Sequence, residues 1–390
     1  MQRGRFRTSR IDYTLLLLLL LLFLSSCFAI YSAQTTGQYG ENFLLKQIVW
    51  YIVGSGLIVL IIGLDSDQLR KISWFAYGFG VFTLLLLVVA PEGIAPTING
   101  AKSWFRFPGI GSIQPSEFMK VFLILALSNT ILTHNQKHQI KTVQTDLLLL
   151  VKMGAVTGVP LFFVMLQPDL GTSLVLLAIM TGMIFVSGIT WKLLVPIFGS
   201  MATIGATLLI LVVKAPEFLE KYLGVKQYQF GRIYSWLDPE TYQSSTGYQL
   251  SKSLLAIGSG QTSGKGFGNR DVYLPESQTD FIFSVIGEEF GFIGASFVIS
   301  LFFLLIYHIM KMAMETKNQF YTYICVGVIS MIGFHVFQNV GMTIGVMPIT
   351  GIPLPFISYG GSALMGNMMA LGLIFSIAYH FKRYMFSTEK

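Results

Sequence analysis

The chain has 390 residues, of which 53% are hydrophobic and 12% charged, with a net charge of +7 and a mean hydropathy of +0.65. Soluble domains are about 25% charged, so this composition excludes that class and describes an all-α polytopic membrane protein. Leucine runs such as LLLLLLLLFL at 15–24 lack the alternation of a membrane β-barrel, and no nucleic-acid signature accompanies the excess of cations.

About 20 apolar residues cross the hydrocarbon as helix. Ten spans are expected, at 14–33, 44–64, 73–90, 116–132, 147–165, 170–188, 192–213, 280–308, 321–345 and 357–380. The first follows MQRGRFRTSR and has the basic start of a secretory signal peptide. Its apolar run continues through FAIY, so it reads as a retained helix. Between the third and fourth spans lies PEGIAPTINGAKSWFRFPGIGSIQP, 91–115. Ser116 is placed to cap the fourth helix, and Glu117 and Lys120 share its face three residues apart. A local ion pair is the plain reading of those two. Lys102, Trp104, Arg106 and Lys120 also make a set of cations and an aromatic suited to an anionic, lipid-linked or sugar-bearing ligand.

His134 and His138 stand four apart but flank a lysine in a polar stretch that reads as a solvated loop. QPDLGTS separates the fifth and sixth spans, and Asp169 reads as a helix cap there. A loop of about 66 residues, 214–279, follows the seventh span and is too long for an unstructured connection. Its KYLGVKQYQFGRIYSWL stretch, which includes Arg232, mixes cations and aromatics as an interfacial element does. Its GSGQTSGKGFGN stretch, 258–269, has the wrong glycine spacing for a phosphate loop and Gly266 where Ser or Thr is required. It reads as a flexible glycine-rich link.

LPESQTDFIF, 274–283, leads into the eighth span. An acid at the mouth of a membrane helix is costly and is a functional hypothesis by default. Two readings of Asp280 stand side by side: a functional carboxylate, and a charge favoured by the helix macrodipole with Thr279 as the cap. Glu288 lies about two turns on and about a quarter-turn round, with Glu289 beside it. If the helix turns them inward, they define a polar cleft. His335 and Asn339 share a face of the ninth span, the usual arrangement of polar groups that join helices. The stretch MPITGIPLPFISYGGS, 347–362, is irregular backbone, which at membrane depth must be buried or line a cavity. Cys27 and Cys325 lie in apolar spans and read as packing residues.

Lys and Arg in short loops mark the cytoplasmic side. Arg3, Arg5, Arg7, Arg10, Arg70, Lys71, Lys137, Lys141, Lys192, Lys311, Lys317, Lys382 and Arg383 all fall on one side of a ten-span chain. Both termini are therefore expected in the cytoplasm of a multi-pass protein of the cell membrane. Segments 91–115, 214–279 and 347–362 are then extracellular.

In order along the chain, GAKSWF…IQPSEFMK, QPDLGTS, YQFGRIYSWLDP…GYQLSKSLLAIGSGQTSGKGFG, LPESQTDFIFSVIGEEFGFIG and NVGMTIGVMPITGIPLPFISYGGS resemble the SEDS family (shape, elongation, division and sporulation; RodA and FtsW). The resemblance covers nearly the whole chain, and GMTIGVMPITGIPLPF is more similar to the RodA, rod-elongation branch. It implies one ten-helix domain over residues 1–390, with 214–279 a large extracellular loop. It also implies a peptidoglycan glycosyltransferase that polymerises lipid II into a glycan strand, with a class B penicillin-binding protein transpeptidase and the elongation machinery as partners. Asp280 is then the essential carboxylate, and Trp104, Glu117 and Lys120 fall on the family's WF/QPSE segment. Arg106 occupies a variable position of that segment.

In such a reaction the 4-hydroxyl of one lipid-linked sugar attacks the anomeric carbon of another, and undecaprenyl pyrophosphate leaves. A carboxylate with a raised pKa can take the hydroxyl proton, and the departing pyrophosphate needs positive charge. Lys120, Arg232 and Arg106 are the expected cations, with a divalent cation as the alternative. A flippase for the lipid-linked precursor fits ten helices with Gly/Pro breaks as well, although no internal repeat is visible. A scaffold of the elongation or division machinery is the third reading.

Overall fold

A computed structural model describes residues 11–35, 42–97, 100–107, 111–215, 227–239, 241–242 and 247–384. The helices are α1 (Tyr13–Thr35), α2 (Phe43–Ile62), α3 (Ser66–Val89), α4 (Pro115–Lys137), α5 (Val143–Leu166), α6 (Leu170–Val186), α7 (Trp191–Lys214), α8 (Gln227–Leu237), α9 (Tyr248–Ser259), α10 (Ile282–Glu315), α11 (Gln319–Thr343) and α12 (Gly361–Tyr384). Among the described residues nine of these are long and apolar enough to cross a membrane, and α6 is a shorter apolar helix of 17 residues. The all-α polytopic architecture and the ten expected apolar helices are thus present.

Helix starts follow from local capping. Asp65 and Gln68 form a capping box at α3, and Thr142 and Thr145 form one at α5. Pro115 occupies the first turn of α4, where its missing N–H costs nothing. A helix satisfies its own backbone hydrogen bonds, the condition for crossing lipid.

Burial distinguishes the centre of the bundle from its rim. In the apolar stretch of α4, 78% of residues are buried, against 6% in α7. α4 packs on α3, α5, α6, α11 and α12, whereas α7 touches mainly α5 and α8. Tyr234 of α8 donates to Val212 O near the end of α7 and packs with it in a small separate cluster.

A two-stranded antiparallel hairpin, β1 (Phe105–Phe107) and β2 (Gly111–Ile113), lies in the segment before α4. Two local expectations are corrected. His134 is buried on α4 rather than lying in a solvated loop, with its ring 4.6 Å from that of His138. Residues 258–269 do not form a flexible link, because their backbone is hydrogen-bonded to α10. Cys27 and Cys325 are free thiols, as packing residues would be.

Candidate active site

The first residues of α4 place two ionisable side chains inside the bundle. Glu117 and Lys120, three apart on one face, are both buried, and Lys120 Nζ lies 2.6 Å from Glu117 Oε2. The expected local ion pair therefore exists, but it is not a surface pair. Lys120 Nζ also lies 3.0 Å from Nε2 of the buried His335 on α11. His335 Nδ1 is 2.6 Å from Met331 O, an acceptor, so the ring proton sits on Nδ1 and Nε2 offers a lone pair to the ammonium. An ammonium has three N–H groups. Two are engaged, which leaves one for a ligand.

These groups form one side of a cavity of about 300 Å³. Trp104 and Gln114 line it from the segment before α4, and Asp169 and Thr172 from the start of α6. Residues 350–353, within the irregular stretch between α11 and α12, line it as well. Asp169 caps α6 as expected, accepting from Thr172 N at 2.9 Å, and in addition accepts from Gln114 Nε2 at 2.8 Å. That bond joins the segment before α4 to the start of α6 across the cavity.

Asp280 lies behind the wall formed by residues 350–353. A side chain added at Gly351, where φ is +71°, would come 3.2 Å from Asp280 Oδ2. Asp280 is not itself a lining residue of the cavity; its carboxylate lies beside Gly351, which is. Asn339 Nδ2 donates at 2.8 Å to both Asp280 O and Ile352 O. Ser358 Oγ donates to Thr279 O at 2.6 Å, and Tyr359 N to Gln278 O at 2.9 Å. The strand of chain before α10 is therefore strapped to the irregular segment after α11.

The expected cap at Thr279 does not form. α10 starts at Ile282 with Phe281 in the cap position and no side-chain cap bond, while Thr279 Oγ1 bonds back to Glu276. Among the described residues no hydrogen bond or ion pair holds the Asp280 carboxyl. Burial, and then the nearby Glu276 carboxylate, push its pKa up to about 6.

Of the other expected site residues, Trp104, Glu117 and Lys120 line one cavity. Arg106 does not: it is exposed on β1, with its N–H bonded to Ile94 O. Arg232 lies on α8, and its side chain falls outside the described residues. Lys102 is spent on the carbonyls of Val88 and Ala90 at the end of α3. Glu288 and Glu289 are buried but turn toward residues 265–272 and α1, so they do not build the cleft. His335, read from sequence as helix glue, is a central member of the site. Its face-sharing with Asn339 was visible, but its meeting with Lys120, 215 positions away, was not. Among the described residues, no group of three or more His, Cys, Asp or Glu converges as metal ligands.

Ten apolar helices around a buried acid, base and cation beside a cavity define a polytopic membrane protein with an acid–base site. The chain belongs to the FtsW/RodA/SpoVE family of cell cycle proteins, whose model matches residues 8–383. It is 32% identical to stage V sporulation protein E of Bacillus subtilis, over 96% of this chain and 98% of that one. It is 33% identical to peptidoglycan glycosyltransferase RodA of Treponema pallidum, over 95% and 98% of the two chains. Relatives named FtsW are equally similar, at 34% identity for that of Coxiella burnetii over 93% of each chain, so the branch within the family is not resolved by identity. A chain in a solved peptidoglycan synthase complex superposes with a TM-score of 0.75 at 27% identity, over 97% of this chain and 99% of that chain.

Proposed function

We propose that this peptidoglycan glycosyltransferase polymerises lipid II at the outer face of the membrane, with Asp280 as the general base. The observation that carries the reading is the state of Asp280: a carboxyl unpaired among the described residues, with a pKa raised to about 6, beside Gly351 in the wall of a cavity between membrane helices. A base is most effective when its pKa lies near the working pH.

Asp280 accepts the proton of the acceptor sugar's 4-hydroxyl while that oxygen bonds to the donor's anomeric carbon. The bond from that carbon to pyrophosphate breaks, and its electron pair leaves with undecaprenyl pyrophosphate. The free N–H of Lys120 meets the developing charge, with Glu117 and His335 fixing the direction of the ammonium. Trp104 offers an aromatic face to a sugar at the cavity rim. Arg106 on the hairpin and Arg232 on α8 are candidates for steering the anionic substrate. Names of relatives support the substrate class. The match to a chain of a synthase complex supports a penicillin-binding protein as partner. Elongation rather than division, cytoplasmic termini, and one domain with 214–279 as its extracellular loop belong to the same proposal.

The test is polymerisation of lipid II by the purified protein in detergent, with and without its transpeptidase partner and with and without a chelator. Asp280→Asn is expected to lower the rate by about 10²–10⁴-fold. Glycan strands formed by Asp280→Asn at the wild-type rate would overturn the assignment. Lipid II crossing vesicle membranes with no polymer formed would replace it with transport.

A further inference from the structure

Two features have no part in the reaction above: the glycine-rich stretch 258–269 and the buried pair Glu288 and Glu289. They meet at a break in α10. Gly291 has φ 61° and ψ −156°, a conformation open essentially only to glycine. A break of this kind strands carbonyls before it and N–H groups after it. The glycine-rich turn supplies their partners. Lys265 N donates to Glu288 O and Gly266 N to Glu289 O, each at 3.0 Å, while Phe292 N donates to Gln261 O at 2.9 Å and Ile293 N to Thr262 O at 3.1 Å. A side chain at Gly264 would overlap Glu289 O, and one at Gly291 would overlap Gly264 N and Thr262 O.

Side chains lock the same junction. Glu288 Oε1 accepts from Lys265 Nζ at 2.8 Å, Asp271 N at 2.9 Å and Val272 N at 3.2 Å. Glu289 Oε1 lies 3.2 Å from Arg270 Nε and accepts from the Ser32 hydroxyl. Arg270 Nη2 donates to Ser32 O at 2.8 Å and Ala33 O at 3.2 Å, in the last turn of α1. Both glutamates are 1% exposed, so losing a cation leaves a buried anion.

We propose that residues 260–272 are a splice that holds the short helix 282–290 against α1, and that Lys265 and Arg270 are positioning residues for Asp280. Glu288 stands eight residues beyond Asp280, on the order of 12 Å of helix rise, with the unbroken helix 282–290 filling most of that distance. Asn339 ties Ile352 and Asp280 O together through one amide, and Ser358 bonds Thr279 O, so a tilt of that helix about Gly291 pulls on these bonds and displaces Asp280 relative to Gly351. Misplacement by about 1 Å at a reacting group costs about 10²-fold in rate.

The inference rests on Asp280 as the reacting carboxyl, and the experiment separates the two. Hydrogen–deuterium exchange of the intact protein in detergent reads the splice without any activity. Lys265→Met and Arg270→Met are expected to raise exchange across 281–290 while the helix 319–343 stays protected. In lipid II polymerisation the same variants lower kcat by about 10–100-fold with KM within about twofold of wild type, and Lys265→Arg restores most of kcat. Unchanged exchange across 281–290 overturns the splice. Raised exchange with wild-type kcat overturns the positioning role. An active Asp280→Asn would remove the parent reading and leave the exchange result standing. If the methionine variants do not fold, Lys265→Gln keeps a hydrogen bond to Glu288 without the charge. Raised exchange across 281–290 is expected for it too, and wild-type exchange there counts against the splice.

Discussion

Burial, and then the Glu276 carboxylate, push the Asp280 pKa up to about 6 from the ordinary aspartate value of 3.8. The sign of the consequence follows from linkage. Between about pH 4 and pH 6 the folded chain binds a proton that the unfolded chain has lost, so this group makes the fold less stable as pH rises through that window. Asp280→Asn removes the ionisation. Its melting temperature is expected to exceed that of wild type at pH 8, with the difference shrinking toward pH 4. In the active enzyme the acid limb of the rate profile is expected near pH 6, and Glu276→Gln is expected to move it to lower pH. The buried pair beside the cavity makes the opposite kind of prediction. Lys120→Met leaves Glu117 buried and unpaired, at a cost of about 3–5 kcal/mol, and Lys120→Met with Glu117→Leu recovers much of that stability. Thermal unfolding in detergent reads both variants, and additive losses in the double variant would disprove the coupling.

Elements set how far such residues can be aimed. α6 has 17 residues, about 26 Å of helix, short of the roughly 30 Å hydrocarbon core. It is tolerated because it packs on α4, α5 and α11 and opens at Asp169 into the cavity rather than into lipid. α10 is a single helix by its hydropathy and two by its backbone. The apolar run from Ile282 onward hid the break, since Gly291 is one of several glycines in GEEFGFIG and nothing local marks it as left-handed. Gly291→Ala is expected to lower stability by about 1–3 kcal/mol from backbone strain, and by more from overlap with Gly264. Gly205→Ala in α7, where a Cβ meets nothing within 4 Å, is the control and is expected to be neutral or slightly stabilising. Melting curves of the two variants that coincide would contradict the strained junction.

At the scale of the whole molecule, the charge bias predicts which end of the bundle faces out. With a cysteine introduced at Phe267 or Lys317 in a background lacking Cys27 and Cys325, a membrane-impermeant maleimide added to intact cells is expected to label position 267 and not position 317. The reverse pattern would invert the topology and move the cavity to the cytoplasm. The ten apolar helices, their order and the isolation of Asp280 ahead of a span were legible in the sequence, because crossing lipid demands long uncharged runs that no other architecture supplies. So was the Glu117–Lys120 pair, since residues three apart on a helix are neighbours whatever surrounds them. Which polar residues meet across the bundle was decided only by the tertiary structure. His335 meets Lys120, Asp280 lies beside Gly351, and Glu288 and Glu289 turn to a glycine-rich turn rather than to the cavity. Helix packing angles and the course of irregular backbone depend on contacts between segments far apart in the chain, and hydropathy, a property of each segment alone, carries no record of them.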